Sequence, residues 1–261
     1  MRHRAGRKPP CAAFTLIEVL VVVAVIALLL AILLPSLSRA RTQAGRTVCR
    51  SNLRTLGQFA ALFHHDNAGR LPRSSHSVYH GFPPFSEVTR WKWDYAFYRY
   101  ATGHPLNRDA MGGPGWLDVV NQNYHCPLDE RVATTANPGL VSYGYSNWFE
   151  LDRAGDLQML ITFLNESRTW RSVDRVRRPA ATILFGERSS AGGGSGGGSD
   201  HMMAHFWAMG LVSEIDVEVD RNRHRPRSGY VFVDGHAEDL EFSATFNSQR
   251  EIDDWYPATA Q

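Results

Sequence analysis

Ala13-Phe14-Thr15-Leu16-Ile17-Glu18-Val19-Leu20 opens an apolar run in which no polar side chain occurs from Val19 to Leu34. As a helix rising about 1.5 Å per residue, Phe14 to Leu34 reaches roughly 30 Å, the depth of a bilayer core. A removable secretory signal has a shorter apolar region, about 7–15 residues, followed by a small-x-small cleavage site. Residues 14–34 are therefore expected to be a transmembrane helix. Ahead of them lie Arg2, Arg4, Arg7 and Lys8 and no acid, which favours keeping residues 1–13 in the cytoplasm. Arg39, Arg41, Arg46, Arg50 and Arg54 follow the span, so charge counting alone leaves the orientation open.

Glu18 is the one ionisable group in the span. A carboxylate near the centre of a bilayer costs about 2.5–3.5 kcal/mol on insertion scales, and less toward an end. If the chain is cut between Ala13 and Phe14, the new amine lies one helical turn from Glu18, on the same chain or on a neighbour. Packing such helices side by side pairs and desolvates the two charges. The alternative is a carboxyl that reaches the membrane interface or stays protonated.

Past the span the helical spacing continues. Leu37, Ala44, Val48, Leu56, Phe59 and Phe63 recur every three to four residues or multiples of that, among polar residues. Asp66-Asn67-Ala68-Gly69, with Pro72 beyond, is a stop. Residues 35–66 are thus the second half of one long helix, with Pro35 bending it and Gly45 and Gly57 each weakening it by roughly 1 kcal/mol relative to Ala. Its apolar stripe requires a covering surface.

The remaining segment, 67–261, reads as one globular α+β domain. Residues 73–122 are rich in aromatics, among them Tyr79, Phe82, Phe85, Trp91, Trp93, Tyr95, Phe97 and Trp116. Core packing and a ligand-stacking platform are the two readings of such a cluster. Glu87 to Tyr100 is expected as one short helix. Strand signals come later: Val141–Trp148, Ala181–Phe185, then Tyr230–Val233 and His236–Phe242 around Asp234-Gly235, a strong hairpin signal. Gly192 to Ser199 has the composition of a flexible loop, placed at 191–200. One long helix followed by late strands predicts an α+β fold, with the helix packed on a C-terminal, mostly antiparallel sheet.

The composition excludes some functions. The 261 residues carry 28 Lys and Arg against 26 Asp and Glu, so no basic field draws in nucleic acid. No phosphate-binding Gly-Lys-Ser/Thr loop and no His-Glu-x-x-His occurs. Gly193 to Gly197 satisfies Gly-x-Ser-x-Gly, but in a polyglycine run without the strand–turn–helix context of a nucleophile elbow. His201 and His205 have a helical metal spacing but no intervening Glu, and His64-His65-Asp66 suits the capped end of a helix. No catalytic residue and no cofactor is assigned. Cys11 precedes the expected cut, which leaves Cys49 and Cys126. In an oxidising compartment these either form a disulfide or stay as two buried thiols.

The basic leader followed by Ala13-Phe14-Thr15-Leu16-Ile17-Glu18 resembles the processing site of type IV prepilins and pseudopilins. The resemblance implies a membrane peptidase that cuts before Phe14 and methylates it, with Glu18 as the fifth mature residue acting in assembly. That family usually has Gly where this chain has Ala13. A second resemblance spans Cys49 to Gly57, His65-Asp66, Leu71-Pro72, Tyr124-His125-Cys126-Pro127, Ser142-Tyr143-Gly144-Tyr145, Pro179 to Glu187, and His224 with Asp234-Gly235 nine residues on. These islands are similar to prepilin-like proteins with a C-terminal H-x9-D-G pattern, abundant in planctomycete-type bacteria. In that pattern Asp234 is expected to accept turn hydrogen bonds, Gly235 to supply positive φ, and His224 to bond a carbonyl or carboxylate. A calcium site at Asp234, Glu238 and Asp239 is the alternative. Together these resemblances imply a pilin-like fold and a single-pass inner-membrane protein with a periplasmic domain. Its expected partners are the prepilin peptidase and other pilin-like subunits, met through the N-terminal helix in a pilus or type II secretion filament. The competing expectation is a signal-anchored periplasmic binding protein that retains Met1 and does not polymerise.

Overall fold

The computed structural model describes residues 16–78, 84–107, 109–111, 113–152, 154–189 and 200–261. The chain divides into two units, Met1–Ala44 and Gly45–Gln261. In the first, the described residues are the opening part of helix α1, Leu16–Asp66. The helix satisfies its backbone N–H and C=O groups within the segment, and the large apolar side chains from Leu16 to Leu34 are all exposed. The helix continues through Pro35, and Ser36 Oγ donates to the Leu33 carbonyl at 2.8 Å. A mean hydropathy of 3.3 over 18 residues makes this stretch long and apolar enough to cross a membrane.

The second unit begins inside α1, not at residue 67. From Gly45 onward one face of the helix is buried, through Cys49, Leu53, Leu56, Ala60 and Phe63. Of the spacing read from sequence, Leu56, Phe59 and Phe63 lie on this buried face, whereas Leu37, Ala44 and Val48 are exposed, and the face opens one residue on from the last two, at Gly45 and Cys49. After it come short helices α2 (Ser75–Val78), α3 (Phe85–Trp91), α4 (Trp93–Thr102) and α5 (Pro114–Asn123). Strand β1 (Tyr143–Ser146), helix α6 (Ala154–Leu164) and strands β2 (Ile183–Glu187) and β3 (His201–Met202) follow. Helices α7 (Ala204–Ala208) and α8 (Ile215–Glu218) precede strands β4 (Ser228–Phe232) and β5 (Ala237–Leu240). Helix α9 (Phe242–Thr245) and the small strands β6 (Phe246–Asn247) and β7 (Ile252–Asp253) close the chain.

The main sheet has the order β3-β1-β2-β4-β5. Its pairs are antiparallel except β1 with β3. Both faces of β2 and β4 are covered, so these strands are buried throughout, which is why they read as apolar runs more than as alternating ones. On one face Trp93 packs edge-on to Phe185 at 5.1 Å between ring centres, and Leu53 lies against Gly229. On the other, Trp255 covers Gly186 and packs edge-on to Tyr230 and Trp207.

Two local expectations change. Glu87 to Tyr100 is two helices, broken at Lys92, whose backbone is extended (φ −66°, ψ 122°). Arg73 causes the break by pairing alongside: its N–H donates to Trp91 O and its carbonyl accepts from Trp93 N, both at 2.7 Å. Gly57 is not simply a weak point of α1. A Cβ there would overlap the Gly235 carbonyl oxygen, so the missing side chain is what lets helix and hairpin touch.

Candidate functional site

The cut expected between Ala13 and Phe14 lies outside the described residues. Glu18 sits in the first turn of α1, where a carboxylate is favoured by the exposed N–H groups of the helix start. All around it are exposed apolar side chains, such as Leu16, Ile17, Val21 and Val22. The same helix therefore presents one acid near the mouth of a surface built to meet lipid or other apolar helices.

A second constellation is buried in the Gly45–Gln261 unit. Cys49 of α1 is disulfide-bonded to Cys126, in the loop after α5, with Cα atoms 4.9 Å apart. His224, in the turn before β4, brings Nε2 to 3.7 Å from Cys126 Sγ and 3.0 Å from Oε1 of Glu187, the last residue of β2. Its Nδ1 faces Asp239 Oδ1 at 3.7 Å. Asp239 in turn holds Arg50 of α1 at 2.6 Å. Burial alone would lower the His224 pKa, but the Asp239 and Glu187 carboxylates outweigh it and raise it to about 9. His224 thus belongs to a carboxylate-flanked cation site beside a disulfide.

Asp234 and Gly235 lie at the opposite end of β4. Gly235 has φ +90°, its N–H donates to Phe232 O at 2.9 Å, and Phe232 N donates to His236 O at 3.0 Å. Asp234 Oδ1 accepts from the backbone N–H of His236 at 3.1 Å. The turn rests on Gly57. The two islands singled out in sequence therefore meet along their length: Cys49 beside His224, Leu53 against Gly229, and Gly57 against Gly235.

The calcium alternative fails on geometry. Glu238 and Asp239 are successive residues of β5 and point to opposite faces; Glu238 is exposed, while Asp239 is engaged by Arg50. Asp234 is in the turn, bonded to His236. The three donors do not converge. Nor do His201 and His205 share a helix: His201 is in β3 and His205 in α7. Within the aromatic region Trp93, Tyr95, Phe97 and Trp116 are buried core, while Trp91, Tyr98 and Tyr100 are half-buried and pack against it. Tyr79 and Phe82 lie outside the described residues, as do Gly193 to Gly197. Of His64-His65-Asp66, His64 is buried rather than on the surface, and burial lowers its pKa to about 4. Asp66 accepts from Tyr100 Oη at 3.1 Å.

One buried polar cluster had no signal in the sequence. Lys92 Nζ bridges Asp94 at 2.6 Å and Asp200 at 2.9 Å. Ser75 Oγ donates to Asp200 Oδ1 at 2.6 Å, and His201 Nδ1 lies 3.1 Å from the same oxygen. Burial would lower the Lys92 pKa, but Asp200 and Asp94 outweigh it and hold the ammonium above its ordinary range. Ser75 Oγ makes its short hydrogen bond to Asp200 and lies a longer 3.5 Å from His201 Nδ1, so the arrangement is built as a charge clamp around Lys92. Only Lys92 and Asp94 are near in sequence; the other partners come from segments more than a hundred residues on, or from α2.

Compared with known proteins, residues 8–34 match the prokaryotic N-terminal methylation motif. No curated protein and no solved structure matches the chain. The chain thus carries a prepilin-type N-terminal motif, and the apolar run within it belongs to a helix long and apolar enough to cross a membrane.

Proposed function

We propose that this chain is a pilin-like or pseudopilin subunit. It is inserted in the inner membrane with its leader in the cytoplasm, cut and N-methylated at Phe14 by a prepilin peptidase, and assembled through its N-terminal helix into a type IV pilus-like or type II secretion filament. Its Gly45–Gln261 unit lies on the periplasmic side. The observation that carries this reading is the match over residues 8–34 together with Glu18 in the first turn of α1, directly ahead of the apolar run Val19 to Leu34. An acid in that setting is costly by itself. In the assembled state the new Phe14 amine of a neighbouring subunit pairs with it. The role is structural, and the reading calls on no cofactor.

The N-terminal mass of the protein isolated from its own membranes tests this directly. A chain that begins with N-methylated Phe14 is the expected result. A chain that still begins with Met1 overturns the filament reading and leaves a tethered domain.

A further inference from the structure

Cys49, Cys126, Glu187 and His224 come from α1, the loop after α5, the end of β2 and the turn before β4, yet their donor atoms all lie within 4.8 Å of one another. All four residues are buried. Two thiolates, an imidazole and a carboxylate are the donor set of a tetrahedral zinc site. For zinc bonds of about 2.3 Å to sulfur and 2.0–2.1 Å to nitrogen or oxygen, tetrahedral angles place sulfur and nitrogen roughly 3.6 Å apart and nitrogen and oxygen roughly 3.4 Å apart. The observed separations are 3.7 Å from Cys126 Sγ to His224 Nε2 and 3.0 Å from that nitrogen to Glu187 Oε1.

The hydrogen bonding of the cluster is incomplete in the way a metal would complete it. Glu187 Oε2 accepts from Gly229 N at 3.0 Å. Its other oxygen, Oε1, is paired in charge with His224 Nε2 at 3.0 Å but, among the described residues, makes no aligned hydrogen bond. Buried carboxylate oxygens are rarely left in that state. On the far side of the imidazole, Nδ1 faces Asp239, itself fixed by Arg50. A carboxylate behind a ligating histidine is the usual support that orients the ring toward a metal.

We propose that the dithiol form of this protein binds one zinc ion through Cys49, Cys126, Glu187 and His224, with Asp239 as a positioning residue. The dithiol is the form in which the chain is synthesised, so the step requires no reductant. Zinc enters, the two thiols and the His224 Nε2–H lose their protons to solvent, and two sulfur–zinc bonds, one nitrogen–zinc bond and one oxygen–zinc bond form. Zinc and the disulfide are then alternative closures of one junction between α1 and the sheet. This inference is independent of the filament reading, and its outcome does not depend on polymerisation.

The test uses the full chain in detergent, reduced and kept anaerobic, titrated with zinc alone and separately with cobalt(II). The expected result is one zinc per chain, both cysteines protected from alkylation, and cobalt spectra with thiolate charge-transfer and tetrahedral d–d bands. His224→Gln and Glu187→Gln lose stoichiometric binding, and Asp239→Asn weakens it about 10–100-fold. Circular dichroism before and after metal addition reports the fold of each. A folded dithiol chain that takes up no zinc overturns the proposal, as does a chain that binds zinc equally well with His224→Gln. A reduced chain that is unfolded supports it if zinc restores the fold and overturns it if zinc does not.

Discussion

At Gly57 a single absent side chain sets a contact. Glycine in a helix costs roughly 1 kcal/mol relative to alanine, yet here it stands where the Gly235 carbonyl meets α1. Gly57→Ala is therefore expected to destabilise the protein by about 3 kcal/mol, because backbone and not a flexible side chain must move. Denaturant midpoints of the two chains measure it, and an unchanged midpoint would mean the contact is not made. His64 acts through pH. It is buried, and its pKa falls from 6.5 to about 4. Between those values the unfolded chain binds a proton that the folded chain refuses, so stability declines as pH falls from 6.5 toward 4. His64→Gln is expected to remove up to about 3 kcal/mol of that decline. The readout is the slope of unfolding free energy against pH, which separates titration from any constant effect of the substitution.

Helix α1 is one element facing two environments. Up to Ala44 its apolar side chains are exposed, and from Gly45 a stripe of them is buried in protein. On the proposed filament reading, Glu18→Ala leaves membrane insertion intact, since it removes a charge from the span, but it impairs assembly by leaving the neighbouring Phe14 amine unpaired. Sheared-filament yield compared with membrane yield would show this, and normal incorporation of the variant would count against the pairing. Further along, the disulfide ties α1 to the loop after α5 across a sequence separation of 77. Closing a loop that long restricts the unfolded chain. The Cys49→Ser, Cys126→Ser double variant is expected to be less stable by about 2–4 kcal/mol in metal-free, non-reducing buffer, measured by denaturant unfolding.

For the whole molecule, the division at Ala44 and Gly45 has a solubility consequence. A chain starting at Gly45 keeps the buried stripe of α1 and sheds the exposed apolar residues, so it is expected to fold and stay in the soluble fraction. The full chain is expected to remain in membranes through alkaline extraction. A truncated chain that aggregates would show that the opening half of the helix also serves the folded unit.

Much of this was legible along the chain, because the signals are local. The uninterrupted run from Val19 to Leu34 requires a helix wherever water is excluded, and its length matches a membrane. The Asp234-Gly235 pair marks a turn whatever surrounds it, since only its own backbone must take a positive φ. The three-to-four spacing through Phe63 announces a face to be buried. None of these says what does the burying. That Gly57 receives Gly235, that His224 lies between Glu187 and Asp239 beside Cys126, and that Lys92 pairs with Asp200 are contacts between distant segments. They follow from how the sheet and α1 close on each other, and a residue's own neighbours in sequence carry no record of a partner a hundred positions away.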